Sequence, residues 1–434
     1  MKKEFILKTA LVISGILLYL NTTNMKNPIS IPGNIEQNFF VLAVGIDKGI
    51  EDDKEIRLTV LAEDFSGNTG KGSSNQAKIA DVVTVEASTV FEAIRKISAI
   101  NNKSVFFGHI KYLLVSEDIA KEKMLDVIDY FTRDNEVRIN TTIANVKGIS
   151  AESFLRSGEK TEKFIPDLLD GEFHDINKLS ISEEKDVLNF MVESNNLFSG
   201  AYIPSLEIIT KEKDEIGSSS QQASTSQDKS SSQQASTSQG ESSSQQETKK
   251  SYYVELNGFA IFDEGKLIGH LSGFTARGLN WVNAKIESGI IIVKDSTEQK
   301  ISMEIINSAS KVKINLNGDI PEATINIQFS TSIGEVMSRN DIFNESEFEK
   351  INEEQKNIVK KEAESAIEYA QKNGVDILNI NDEIYHQYPL KWENMKDKWK
   401  ETFKTMKITV KVESRINRTF HIREPIRSKS GEEK

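Results

Sequence analysis

The segment Gly269-His270-Leu271-Ser272-Gly273 brings a histidine, a serine and two glycines together. A nucleophile elbow needs small residues two before and two after its serine, so that a sharp strand-to-helix turn can expose the hydroxyl. Here those places are taken by His270 and Phe274. The spacing does not make Ser272 a nucleophile. The other histidines, His109, His174, His386 and His421, are too far apart for a helical metal pair. His109 lies in an apolar run read as a strand over 105–115, where a ring bonded to a backbone group is expected. Gly67 to Ser73 matches a phosphate loop in composition but not in spacing, and it reads as a loop. Asp47 to Glu55 is acidic but lacks the alternating ligands and central glycine of a calcium loop. Arg133, Glu136 and Arg138 have the types for an anion site, but a surface ion-pair cluster is the simpler expectation. Trp392 and Trp399 would share a helical face, which reads as core packing before a docking face. No catalytic, cofactor-binding or metal constellation emerges.

The elements that would position these residues form two ordered regions. Residues 36–210 interleave strands and helices. Asn38 to Ile46 is a near-continuous apolar run, as expected of a strand buried on both faces. Ile56, Leu58 and Val60 alternate, and Thr89-Val-Phe-Glu92 is a capping box before a helix. Residues 119–131 read as one helix and 139–146 as a strand. Residues 251–425 open on a hairpin, with apolar runs Phe259–Phe262 and Leu267–Leu271 flanking Asp263-Glu-Gly-Lys266. Gly258, Gly269 and Gly278 read as turn glycines, with Trp281 in the apolar stretch that follows. Ser346-Glu-Phe-Glu349 reads as a second capping box, opening a long helix that Asn373-Gly374 ends. The expected fold class is α+β or mixed α/β, multi-domain with three domains, its mixed sheets flanked by helices.

Between these regions, residues 211–250 are a Ser/Gln-rich linker with a 12-residue repeat and no apolar side chain larger than alanine through its core. Such a composition buries too little to offset chain entropy and reads as disordered. This tract accounts for part of the low hydrophobic fraction, 38%. The formal charge of −12 argues against nucleic acid as a main partner, because a phosphate backbone needs a clustered basic face. The absence of cysteine excludes disulfides and thiol chemistry.

Residues 1–25 place Lys2, Lys3 and Lys8 before an uncharged, mostly apolar stretch of about 17 residues from Thr9 to Met25. This reads as a single membrane anchor with cytoplasmic lysines, or else a cleaved signal. Ile13-Ser-Gly-Ile16 has the shape of a lipoprotein box with isoleucine in the cysteine position, so no lipid can be attached there.

Several local motifs, in this order, resemble the Ger(x)C family, the C subunits of spore germinant receptors. They are Gly45-Ile46-Asp47, the His109 segment with Leu113 to Glu117, and Arg133-Asp-Asn-Glu136-Val-Arg138. They continue with Gly258 to Phe262, Lys266 to Leu271, Thr275 to Trp281, Glu335, Asp376-Ile-Leu378, and Pro389-Leu-Lys-Trp392 with Trp399. The resemblance implies a non-enzymatic protein of three mixed domains on the outer face of the spore inner membrane. Its partners would be an A subunit and a transporter-like B subunit, which together trigger germination on sensing nutrients. The alternative is an exported protein that binds a small ligand itself.

Overall fold

A strand buried on both faces anchors the first half. β1 (Asn38–Lys48) sends Val44 and Ile46 into one apolar cluster and Ala43 into another on the opposite face. The structure, a computed structural model, describes residues 38–417 apart from 52, 64–79, 102–103, 135, 162–163, 213–249, 317–319 and 339–341. The N-terminal segment, the Gly67 loop and most of the Ser/Gln tract lie outside the described residues. No described helix is long and apolar enough to cross a membrane.

β2 (Ile56–Glu63) and β3 (Ala80–Ala87) extend the sheet antiparallel from β1. α1 (Val90–Asn101) opens on the expected capping box: Glu92 N donates to Thr89 Oγ1 at 3.1 Å, and the Glu92 carboxylate accepts from Ser88 N at 2.9 Å. β4 (Ser104–Phe106) and β5 (Tyr112–Ser116) run parallel to β1. The expected single strand over 105–115 is thus two strands, with His109 in the turn between them. The expected helix over 119–131 is likewise two, α2 (Glu117–Glu122) and α3 (Met124–Arg133), separated at Lys123. β6 (Thr142–Val146) is parallel to β5. It begins at Thr142, because the residues before it turn: Thr141 N and Oγ1 both donate to Arg138 O.

α4 (Ala151–Thr161) and α5 (Ile165–His174) cover one face of the sheet through Phe154, Leu155 and Leu169. Asp47 fixes the start of α4, its two oxygens accepting Ala151 N at 2.7 Å and Glu152 N at 2.8 Å. α1, α3 and α6 (Val187–Ser194) cover the other face. β7 (Ala201–Glu212) joins β6 in parallel and pairs antiparallel with β8 (Lys250–Asp263), Glu212 opposite Lys250. β9 (Lys266–Leu271) closes the expected hairpin. The sheet order is β3-β2-β1-β5-β6-β7-β8-β9, with β4 beside β1. The hairpin after residue 250 therefore completes the first sheet and does not start the second.

α7 (Gly273–Val282) crosses to the second sheet, β10 (Ile290–Lys294), β11 (Lys300–Asn315), β12 (Glu322–Val336) and β13 (Ile408–Asn417), in that order. α8 (Glu345–Asn373) packs on it through Ile351, Val359, Ala363, Ala366 and Ala370. Its N-cap is Asn344, whose side chain accepts Ser346 N, so the helix starts two residues before the expected Ser346 box. Gly374, at φ 69°, ends it as expected. α9 (Ile380–Gln387), α10 (Pro389–Met395) and α11 (Trp399–Thr405) return the chain to β13. Two mixed sheets flanked by helices make this an α+β protein.

The glycines divide sharply. Gly258 lies at φ 81°, and a Cβ there would overlap the Leu271 carbonyl oxygen across the hairpin. Gly278 does not turn the chain as expected. It sits inside α7, where a Cβ would overlap the Glu362 carbonyl oxygen of α8. Exposed Gly171, inside α5, faces open space. Gly258→Ala and Gly278→Ala should each cost about 2 kcal/mol or more in urea unfolding. Gly171→Ala should stabilise by about 0.5–1 kcal/mol.

Candidate functional site at the junction of the two sheets

Two polar constellations hold the junction. The first is buried between α7 and α8. Glu362 accepts from Arg277 Nε at 2.9 Å and Nη2 at 2.5 Å, one bond to each carboxylate oxygen. Trp281 Nε1 adds a third bond at 2.9 Å, and Arg277 Nη1 also donates to Ile290 O. Trp281 is thus core, packed 5.3 Å from Phe329. Glu362 is committed to holding two helices together.

The second constellation lines a cleft of about 160 Å³ formed by the 197–199 loop, Asp263, Gly374, Asp376 and residues 396–400. Asp376 organises it. Its carboxylate accepts Leu378 N and Ile380 N at 3.2 Å and Asn381 N at 2.8 Å, satisfying the start of α9. Its carbonyl accepts Gly200 N at 3.0 Å, and Ser199 Oγ donates to Asn381 at 2.8 Å. These bonds tie the first half's loop to the second half. Burial outweighs the three amides and pushes the Asp376 carboxyl up to about 7.

Trp399 lines the same cleft and packs on Trp392, with ring centroids 5.3 Å apart at 70°. The two do not share one helix: a 3₁₀ turn, Lys396–Lys398, separates α10 from α11. Both are buried, and Trp392 also meets Phe198 at 5.2 Å, so they form core and not an exposed docking face. The Trp399 indole N–H is buried with no hydrogen-bond partner. Lys400 is paired with Asp263 at 2.5 Å.

The remaining predicted residues lie apart. His109 is exposed and bears on Phe40 and Phe106 at 5.5 and 5.4 Å, contacts that are aromatic and not the expected backbone bond. Arg133 pairs with Asp129 one turn earlier, while the Glu136 amide donates to Asp134. Among the described residues no ion pair links Arg133, Glu136 and Arg138, so the expected cluster does not form. Glu335 is exposed near the end of β12, opposite Ser302. Gly269 sits under Tyr369, whose hydroxyl a Cβ would crowd at 2.6 Å. His270 Nε2 meets Asn145 Oδ1 at 2.9 Å, and burial lowers its pKa. Ser272 is exposed at the start of α7, without a side-chain cap bond. Among the described residues no His, Asp or Glu group converges to hold a metal.

Spacing does not reveal Glu362, Arg277, Asp47 or Asn145 as key residues. Their partners lie 85, 104 or more, and 30 positions or more away. For Arg277 and Glu362 the local signal is a charged residue on an otherwise apolar helix face, whereas Asp47 and Asn145 are polar residues within buried strands.

The fold is thus a two-sheet α+β architecture whose halves are joined by buried polar contacts. Residues 33–208 match the family described as "Spore germination protein N-terminal domain". Residues 257–420 match "Spore germination B3/ GerAC like, C-terminal". The chain is a member of this GerAC-like, or Ger(x)C, family of spore germination proteins. Among individual members it is similar to spore germination protein KC of Bacillus subtilis (strain 168), 23% identical over 400 residues, covering 89% of this chain and 91% of that one. It is also similar to spore germination protein B3 of the same organism, 22% identical over 381 residues, covering 85% and 88%. The crystal structure of the GerBC protein shares the fold, with TM-score 0.51, 18% identity, and coverage of 87% of this chain and 98% of that one.

The Asp376 carboxyl generates a pH test. Folding raises its proton affinity, so its contribution favours the folded state at low pH. That contribution is lost as pH rises from about 4, the ordinary aspartate value, to about 7. Asp376→Asn should lower stability overall, because an amide cannot satisfy three N–H donors. It should also flatten the dependence of the urea midpoint on pH across that window. Parallel wild-type and variant profiles would remove the assignment.

Proposed function

We propose that this protein is the C subunit of a spore germinant receptor. In this reading it is a non-enzymatic protein, tethered by its N-terminal segment to the outer face of the spore inner membrane. There it assembles with an A subunit and a transporter-like B subunit. The supporting observation is the family match across both halves. The commitment of Glu362 and Asp376 to structural bonds is consistent with a role without catalysis. The ectodomain would act by binding one state of the assembly more tightly, so that nutrient binding elsewhere shifts that equilibrium.

A second reading, direct binding of a small ligand, is favoured by one observation, the unpartnered Trp399 N–H beside the cleft. It calls for a ligand with a hydrogen-bond acceptor and little bulk.

An affinity-tagged chain purified from gently solubilised spore membranes should bring down a large A-type subunit and a multi-spanning transporter-like protein. Recovery of the chain alone would count against the subunit reading. A saturable change in tryptophan emission on adding amino acids or hexoses, lost in Trp399→Phe, would establish the second reading instead.

A further inference from the structure

The parallel strands β1, β4, β5 and β6 all run the same way, so the segments leading into them gather at one end of the first sheet. Several large apolar side chains are exposed at that end, among polar ones such as Lys111 and Asn140. Ile100, at the close of α1, is 64% exposed, and Phe106, at the end of β4, is also exposed. His109 follows in the turn, its ring against Phe106 and Phe40. Ile139, before β6, is 47% exposed, and its carbonyl accepts the Leu188 N–H at the start of α6. Val192, one turn along α6, is 60% exposed. Isolated exposed apolar residues are ordinary, but a group of them at one end of a domain marks an interaction surface.

The chain itself indicates what covers this end. β1 starts here, at Asn38, and the uncharged stretch read as a membrane anchor ends at Met25. Only residues 26–37 lie between them. Fully extended at about 3.3–3.6 Å per residue, twelve residues reach no more than about 43 Å. A tether this short makes contact between this end and a bilayer an intramolecular event of high effective concentration. The side chains suit the interfacial zone: aromatic rings and aliphatic groups to enter it, with exposed Arg138 beside Ile139 to meet headgroup phosphate.

We propose that this end of the first sheet, around Ile100, Phe106, His109, Ile139, Leu188 and Val192, docks on the lipid bilayer. The proposal rests on the membrane tether of the proposed function. It fixes which end of the first sheet faces the lipid.

The absence of cysteine makes the test clean, because each introduced cysteine is the sole labelling site. The full chain carrying His109→Cys, Ile139→Cys, Lys313→Cys or Leu20→Cys would be labelled with an environment-sensitive fluorophore. It would then be reconstituted into phosphatidylcholine and phosphatidylglycerol vesicles containing brominated lipid. Labels at 109 and 139 should be blue-shifted and quenched several-fold more than the label at 313. Adding Ile139→Glu and Val192→Glu to the His109→Cys chain should bring its quenching down to the level at 313. Quenching at 20 but not at 109 or 139 overturns the docking face and leaves the tether standing. Quenching at 109 and 139 but not at 20 supports the face and overturns the tether. Quenching at none of the three overturns both. A response at 109 and 139 only when the transporter-like subunit is present assigns this end to protein contact and overturns lipid docking.

Discussion

The buried carboxylate of Glu362 is the constraint on which the packing of the second half depends. An ion taken out of water costs several kcal/mol, and an unmatched one is not tolerated. Here one fork of Arg277 and the indole of Trp281 supply three donors to its two oxygens. Those donors come from one helix and the acceptor from another 85 positions along the chain. Their geometry holds only when α7 and α8 touch closely, and Gly278 makes that possible by bringing a bare backbone against the Glu362 carbonyl. Alanines 363, 366 and 370 keep the rest of the α8 contact close. Removing either charged partner would leave the other buried and unmatched, so the arrangement specifies a single packing of the helices.

From this lock the connections spread to the first half. Asn280, on the same helix as Arg277, donates to Ser180 O, and Ser182 Oγ donates to Gly258 O at the root of the hairpin. Asn283 reaches Tyr202 Oη and Ile377 O. Tyr202 in turn lies under the ammonium of Lys185, which pairs with Glu183 and Glu193. Gly200 closes the circuit at Asp376. The two sheets therefore share a continuous polar seam.

Much of this was legible in the sequence and some was not, for definable reasons. The two-faced burial of β1, the β8–β9 hairpin, the α1 cap and the Gly374 stop each depend on residues close in the chain. Periodicity and turn chemistry report such features directly. The Ser/Gln tract marked a break in composition, but not that β7 and β8 pair on either side of it, because register is set by contacts between the strands themselves. Gly278 looked like a turn because glycine is scarce inside helices, and only the passing backbone of α8 explains it. Trp392 and Trp399 have a spacing that suits one helix as well as the two short ones they occupy. His109 was placed inside a strand because the apolar run around it does not reveal the turn at 107–110. The expected ion-pair cluster of Arg133, Glu136 and Arg138 does not form, because Arg133 has a nearer carboxylate, Asp129, on its own helix.

The order in which the sheets can close follows from β13. It is parallel to β12, and the chain between them carries α8, α9, α10 and α11 before Ile408 can lie beside Ala323. Parallel pairing across so long a crossover is slow, since the loop must be closed before its contacts can reward it. The first sheet needs nothing beyond Leu271 for its strands. During synthesis from the N-terminus it can therefore form while the second sheet still lacks its last strand. The buried face of α8 then stays incompletely covered until residues 408–417 arrive. The final strand is thus the kinetic keystone of the molecule, although it carries none of the residues that join the two halves.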